Sequence, residues 1–501
     1  MIIFKAPRYF TAHKARLAPL LLAMLAGCSQ VPQHLRPDEP QHWLFKESQT
    51  PAAETSWKSA EPGEAQMRGE WWTIFNDPHL DTLEAQAIQA NPGLEIAAAR
   101  LKQARALQRS AKADTLPRLD AAFGPMRQRE SAAAQGLHGE QAANTFGFWR
   151  AELGISYEAD LASRIDAEVG AASAELDNSG ALYRSVLMAL QADVAELYFT
   201  VRELDTQMEV YRGTLALRSD TYRLIKHRYD NGDAGELDQV RAQSELEAAR
   251  VEALGIEHNR LLAEHALATL LGLPPAQFSL QPQRLALRDI RIPAGLPSAL
   301  LERRPDIAAA EHAMAAANYR IGIAKAAYFP RLQLTATGGF ESRELGNLFE
   351  WSNRAFLLGP LAGAVMTLPL FDGGRRKATV AYSRAAYEED VARYREVVLK
   401  AFAEVEDKLA GLRIIAEQSR AQRIALDTAE RAAQLSHLQY REGSHSQLDT
   451  IDADRTLLTQ QLATARLEAE KARSTVKLIR ALGGGWQLAA EQQGRLLAER
   501  D

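Results

Sequence analysis

Trp149-Arg150-Ala151-Glu152-Leu153-Gly154-Ile155-Ser156-Tyr157-Glu158 alternates apolar side chains with polar or small ones along its whole length. In a β-strand successive side chains point to opposite faces, so Trp149, Ala151, Leu153, Ile155 and Tyr157 share one face. Alternation this long is what a membrane strand shows, apolar toward lipid and polar toward a lumen. The pattern returns in Leu332-Gln333-Leu334-Thr335-Ala336-Thr337-Gly338-Gly339-Phe340-Glu341. Each has a less regular partner, near 119–127 and 356–370, whose edges Pro125 and Pro360 blur. The loops between partners, Ser131 to Thr145 and Arg343 to Arg354, are small and polar.

The recurrence extends beyond the strands. Asn91-Pro92, Ala111-Lys112-Ala113 and Pro117-Arg118-Leu119 reappear 213 positions later as Arg304-Pro305, Ala324-Lys325-Ala326 and Pro330-Arg331-Leu332. After the strands the offset is 211, carrying Arg164 to Arg375, Tyr229 to Tyr440, Gly232 to Gly443, Leu237-Asp238 to Leu448-Asp449 and Gly272 to Gly483. The chain therefore holds one unit written twice, residues 78–273 and 297–484, a period too long for a small solenoid repeat.

No proline occurs from Met126 to Leu273 or from Leu370 to the end. Helical periodicity is strongest there: Leu187, Leu190, Val194, Leu197, Val201 and Leu204 step by three and four. Leu448, Ile451, Leu458, Leu462, Ala465, Ala469, Ala472, Val476 and Ile479 form a heptad seam, with Arg455 in its one gap. The spacing predicts long helices over about 164–229 and 375–440, each on the order of 95 Å at about 1.5 Å per residue. Flanking helices over about 78–114 and 236–271 would be close to half that length. Four strands per chain cannot close a barrel, since the smallest membrane barrels use about eight, so several chains must assemble.

The chain begins with Lys5, Arg8, Lys14 and Arg16, then the apolar run Leu17 to Ala26, then Leu25-Ala26-Gly27-Cys28. This is the layout of a lipoprotein signal peptide over 1–27, with Cys28 taking the diacylglycerol and acyl lipid; an ordinary signal with an incidental cysteine is the alternative. Cys28 is the only cysteine, and Ser29 after it favours outer-membrane sorting. The formal net charge of −5 falls to about −9 without the signal, which argues against nucleic-acid binding. Residues 28–77 read as a lipid-anchored tether and the start of an equatorial region, 274–296 as an inter-repeat linker, and 485–501 as a tail.

Leu300-Leu301-Glu302-Arg303-Arg304-Pro305-Asp306-Ile307, Ile321-Gly322-Ile323-Ala324-Lys325-Ala326-Ala327-Tyr328-Phe329-Pro330 and Leu368-Pro369-Leu370-Phe371-Asp372-Gly373-Gly374-Arg375 strongly resemble the TolC-like outer-membrane efflux factors. Trp71-Trp72-x-x-Phe75 and Ala481-Leu482-Gly483-Gly484-Gly485-Trp486 fit the NodT/OprM-type lipoprotein branch of that family. The resemblance implies a mainly α protein with a membrane β part: a homotrimer whose twelve strands form one β-barrel in the outer membrane, continuing into a periplasmic α-helical barrel. It implies as partners a periplasmic adaptor (membrane fusion protein), an inner-membrane RND-type pump and outer-membrane lipid, with the chain passively conducting drugs or other small molecules outward. A type I protein-secretion duct, and a structural or adaptor lipoprotein without a pore, are the alternatives.

Each copy turns sharply at the far end of its long helix, at Tyr229-Asp230-Asn231-Gly232 and Tyr440-Arg441-Glu442-Gly443. Gly232 and Gly443 are placed to end those helices in a left-handed conformation. The resemblance makes this tip the periplasmic gate and the adaptor-docking site. Asp449 and Asp452 match the family's inward-facing tip aspartates, whereas the first copy keeps Asp238 but has Arg241 in the second place. Ionic links between neighbouring hairpins would then hold the aperture shut; capping of the helix starts is the competing role for these acids. Nothing supports an enzyme. No histidine pair has helical metal spacing, and there is no G-x-S-x-G, P-loop or G-x-G-x-x-G stretch. Trp149, Tyr157 and Trp351 fit an interfacial belt, and ordinary packing fits them equally.

Overall fold

Asn91 precedes Pro92 and is extended, at φ −72° and ψ 120°, because the proline ring disfavours the helical region for the residue before it. The segment expected as one helix over 78–114 is therefore two, α1 (Pro78–Ala90) and α2 (Pro92–Ala113). The computed structural model describes residues 30–33, 46, 70–129, 131, 145–285, 303–358, 363–444 and 446–484. The signal peptide, Cys28, most of the tether, the linker beyond 285 and the tail lie outside them.

The chain continues through β1 (Arg118–Arg129), β2 (Thr145–Ala159), α3 (Arg164–Asp230), α4 (Glu236–Leu270), α5 (Pro305–Ala326), β3 (Arg331–Ser342), β4 (Arg354–Leu358), β5 (Ala364–Thr367), α6 (Arg375–Arg441) and α7 (Gln447–Ala481). The doubled unit is explicit: α3 and α6 have 67 residues each, α4 and α7 have 35, and α2 and α5 have 22. Even the left-handed residue before each long helix repeats, as Ser163 (φ 56°) and Gly374 (φ 90°).

Two compact units arise, and the long helices contribute to both. Among the described residues, the first falls within 1–37, 101–178 and 310–394, the second within 38–100, 179–309 and 395–501. In the first, β1, β2, β3 and β4 pair in sequence as one antiparallel sheet. β1 runs unbroken through Pro125, opposite Trp149; it is an edge strand of this chain's sheet, where a missing N–H is tolerated. The partner expected over 356–370 is instead broken in two, with β4 beside Ala336–Phe340 and β5 beside Arg331–Leu334 of the same strand. Gly363 at the start of β5 has φ 97°, a conformation outside the strand region that breaks the run.

The register sorts the side chains. Leu119, Ala121 and Phe123 lie opposite Ile155, Leu153 and Ala151, which lie opposite Ala336, Gly338 and Phe340. This apolar face is uncovered, with Phe123 63% and Phe356 82% exposed. On the other face Arg150 pairs with Glu341 across the strands and lies 3.7 Å from Glu152.

In the second unit α1 turns Leu80, Leu83 and Ala87 into a core with Trp71, Trp72, Phe75, Val194, Phe199, Leu267, Val476 and Ile479. Asp77 caps α1, accepting from His79 N at 3.0 Å and from the Tyr198 hydroxyl. Glu84 shares the apolar stripe, fully buried, and neither carboxyl oxygen has a hydrogen-bonding partner among the described residues. Desolvation, helped by Asp81, pushes its pKa up to about 9. Nearby, Asp205 receives Arg202 at 2.9 Å and Arg260 at 2.6 Å, while the two arginines also donate to the carbonyls of Gln281 and Leu280. This buried cluster pins the described start of the linker onto α3 and α4.

A duplicated clasp closes each repeat. Asn91 Nδ2 donates to Leu270 O at 2.9 Å in the first, and Arg304 Nη1 to Ala481 O at 3.0 Å in the second. Both supply a donor to an orphan carbonyl at the end of a return helix. The next turn is Gly272 (φ 70°) or Gly483 (φ 83°). A Cβ there would stand 2.2 Å from Ala90 O or 2.8 Å from Arg303 O.

Two outcomes follow from this packing. Gly272→Ala and Gly483→Ala should each destabilise by roughly 3 kcal/mol or more, combining left-handed strain with collision. Gly443→Ala, in open space, should lose only about 1–2 kcal/mol; denaturant titration of the purified protein compares them. Folded Glu84 keeps its proton to about pH 9 while the unfolded chain loses it near 4.5, so stability falls as pH rises through that window. Glu84→Gln should flatten the fall, gaining on the order of 2–3 kcal/mol at pH 7 and nothing below the window, as read from melting curves at several pH values.

Candidate functional site

The two helix reversals, α3 to α4 and α6 to α7, carry the residues singled out by the sequence. Gly232 (φ 80°) and Gly443 (φ 78°) both take the left-handed conformation. Gly232 N bonds Tyr229 O at 2.9 Å and Asp233 N bonds Arg228 O at 2.7 Å; Gly443 N to Tyr440 O and Ser444 N to Gln439 O repeat the motif at 3.0 Å. Arg228 Nη1 reaches Tyr440 Oη at 3.3 Å, joining one turn to the other.

The return helices start differently. α7 begins with a capping box: Asp449 Oδ2 accepts from Ser446 N at 3.0 Å and from Ser446 Oγ at 2.7 Å. Asp449 thus performs the competing, capping role, whatever else it does in an assembly. α4 has Gly235 at its cap with no side-chain bond, so half-buried Asp238 has no hydroxyl to close a box with. Asp452 is exposed, its Oδ1 3.6 Å from Arg455 Nη1. Arg241 is exposed and, among the described residues, within ion-pair distance of no carboxylate; the chain does not pair it with Asp452.

Another pair makes the link between hairpins. Arg455, which interrupts the heptad seam, places Nε 3.2 Å from Glu245 Oε2 on α4 and Nη2 on Oε1. Arg218 of α3 reaches the same carboxylate at 3.1 Å and the Glu245 carbonyl at 2.7 Å. Hydrogen bonding and charge from Glu245, then Asp452, hold the Arg455 guanidinium above its ordinary pKa range. The apolar seam continues on either side, with Leu458 and Leu462 packed against Tyr211, Ala253 and Ile256. Burial along it decays toward the tip, from 0% exposure at Ala469 to 47% at Leu448. Within the second hairpin His437 Nε2 lies 2.8 Å from Asp454 Oδ1; the first copy has Lys226 and Gln243 there.

Sequence reading missed Glu245, Arg218 and the His437–Asp454 pair. The one available signal was Arg455 at a seam position where an apolar residue belongs. Chemically, the tip joins one hairpin to the other through charged side chains that water can reach. Among the described residues no cluster of three His, Cys, Asp or Glu could hold a metal ion, and no helix is long and apolar enough to cross a membrane.

The N-terminal segment docks on α5. Pro32 O accepts from the buried Asn318 Nδ2 at 2.7 Å, and Val31 lies over Gly322, where an added Cβ would stand 2.6 Å from Val31 Cγ2. Cys28 precedes Val31 by three residues, a reach of about 10 Å.

The model of the outer membrane efflux protein family matches residues 83–273 and 296–484. The chain is 34% identical over 478 residues to the probable efflux pump outer membrane protein TtgC of Pseudomonas putida, covering 94% of this chain and 95% of that one. It is 32% identical over 485 residues to outer membrane protein OprJ of Pseudomonas aeruginosa, covering 94% and 96%. The crystal structure of the open state of the Neisseria gonorrhoeae MtrE outer membrane channel superposes with a TM-score of 0.76 at 28% identity, covering 91% of this chain and 98% of that chain.

Gly322→Leu should expel Val31 from its seat and free the segment after it. Chymotryptic cleavage after Leu35 of the intact protein is expected to speed up severalfold, with Gly346→Leu, in open space, as the unaffected control.

Proposed function

The chain belongs to the outer membrane efflux protein family and is an outer-membrane component of an efflux system, and on that premise we propose that three copies form a passive exit duct for drugs and other small molecules. The observation that carries the reading is the sheet of the first unit: one apolar face left bare, one face polar, and two strands, β1 and β4, with open edges. In hydrocarbon an open edge leaves backbone groups unsatisfied, so the sheets of neighbouring copies must pair until the wall closes. With β4 and β5 counted as one interrupted strand beside β3, four strands from each of three chains give twelve. Arg150, Glu152 and Glu341, together with Thr335 and Thr337, then face a wet lumen.

No reaction is performed by this chain; energy enters from an inner-membrane RND-type pump through a periplasmic adaptor, both partners in this reading. The turns at Tyr229–Gly232 and Tyr440–Gly443 dock the adaptor. Cys28 carries the acyl lipid, and the seat of Val31 and Pro32 on α5 places that anchor beside the roots of the strands. At the tip Asp238, Arg241, Asp449 and Asp452 surround the aperture, while Glu245 with Arg455 and Arg218 holds one hairpin against the other. What supports the gate is the decay of burial toward Leu448 together with an ionic link where the apolar seam fails.

Glu245→Gln should weaken the hairpin link, and Asp452→Ala should remove aperture charge without touching the capping box. Both are expected to raise single-channel conductance in planar bilayers severalfold and admit a large antibiotic into cells. Arg455→Gln, which removes the other half of the pair, should raise conductance likewise. Low conductance in every variant counts against the gate, and a chain that gives neither heat-modifiable oligomers nor conductance counts against the duct.

A further inference from the structure

The bare apolar face of the sheet is not smooth. Across it Ala121, Leu153, Gly338 and Phe356 form one cross-strand row, and Phe123, Ala151, Phe340 and Arg354 form the next row toward the loops. Gly338 and Ala151 are diagonal neighbours, so the middle of the face is a trench; a Cβ on Gly338 would meet nothing within 4 Å. Its volume is about 1000 Å³, with Phe123, Leu153, Phe340, Phe349 and Phe356 around it. The rim is aromatic: Phe349 packs edge-on to Phe340 at 5.7 Å and Trp149 stacks on Phe123 at 5.8 Å.

At the loop end the same face turns cationic. Arg127 and Arg129 lie on it, opposite Gly147 and Thr145. Arg354, at the head of the trench, donates Nε to Trp351 O at 2.6 Å and sets its guanidinium 3.7 Å from the Trp351 ring centre. Its two terminal nitrogens have no hydrogen-bond acceptor among the described residues. Among the described residues no carboxylate is within ion-pair distance of any of the three, whereas Arg118 and Arg150 on the opposite face are paired with Asp120 and Glu341. Unpaired arginine on a lipid-facing surface is tolerated only near the head groups, where an anion can meet it. Trp149 and Trp351 mark that level. The strands' other ends lead into the helices, so the loop end is the outer one.

We propose that this trench and its three arginines form a binding site for a phosphorylated, multiply acylated glycolipid of the outer leaflet. An acyl chain fills the groove over Gly338, and the phosphate groups meet Arg127, Arg129 and Arg354. The site rests on the reading of the sheet as a barrel wall. It would seal each chain's share of the wall at the height where the loops begin, and couple channel stability to the charge of the lipid around it.

The test uses the full-length assembled protein in detergent, incubated with bisphosphorylated lipid A, with the same lipid after removal of both phosphates, or with phosphatidylethanolamine. Retained lipid is counted by native mass spectrometry. The natural chain should retain the bisphosphorylated form at least about tenfold over the dephosphorylated one. Gly338→Leu should lower retention of both, and joint Arg127→Gln, Arg129→Gln and Arg354→Gln should abolish the preference while sparing the dephosphorylated lipid. Equal retention of the two forms by the natural chain, or an undiminished preference in the triple variant, overturns the site. If a variant fails to form heat-modifiable oligomers, the comparison on the natural chain decides alone. A chain that conducts ions yet shows no phosphate preference refutes the lipid site and leaves the duct standing.

Discussion

An unpaired strand edge in hydrocarbon is the constraint on which the rest of the molecule depends. Every peptide N–H and C=O inside a bilayer needs a partner, and β1 and β4 present rows of groups that no other described strand of this chain pairs. The chain is thereby incomplete by construction, and its neighbours must finish the sheet. The apolar face follows from the same constraint, since a wall that faces lipid cannot be polar on that side. Assembly is a condition of membrane residence here, not an elaboration of it.

Much of this was legible because it is periodic. Alternation every second residue gave the strands and their faces, and two constant offsets gave the doubling. Absence of proline gave the long helices to within about one residue. What escaped was aperiodic. The helix break at Asn91 rested on one residue's ψ, although the Pro92 behind it was visible. The split between β4 and β5 turned on Gly363 and its positive φ. Glu84 sits in an apolar stripe where an acid is unexpected, and it resides there neutral. Glu245 and Arg455 are 210 residues apart, and a single sequence does not say which faces of which helices meet. The tip aspartates were visible as acids near a turn, yet only the fold separates Asp449, engaged in a capping box, from Asp452, engaged with Arg455.

Doubling the unit relaxes a symmetry. If the copies were identical, every hairpin around an assembly would carry the same charges and the two reversals of one chain could not take different roles. Divergence at matched positions removes that restriction: Arg455 stands where the first copy has Ser244, and His437 with Asp454 where it has Lys226 with Gln243. The clasp shows the limit of divergence. A neutral amide at Asn91 and a guanidinium at Arg304 serve the same carbonyl position, the second needing Asp306 and Glu404 to balance its charge. The backbone task is kept while the side-chain chemistry drifts.

That clasp also orders events in time. Asn91 meets a carbonyl 179 residues further along, and Arg304 meets one 177 residues further along. The hairpin of α3 and α4 is local and can form as soon as its residues emerge, but closing so long a loop is slow and must wait for the far end. Each repeat therefore stays unlatched until its return helix is complete. A repeat cut short lacks the carbonyl that its own first helix requires, so the fold contains a check on its own length, applied once in each repeat.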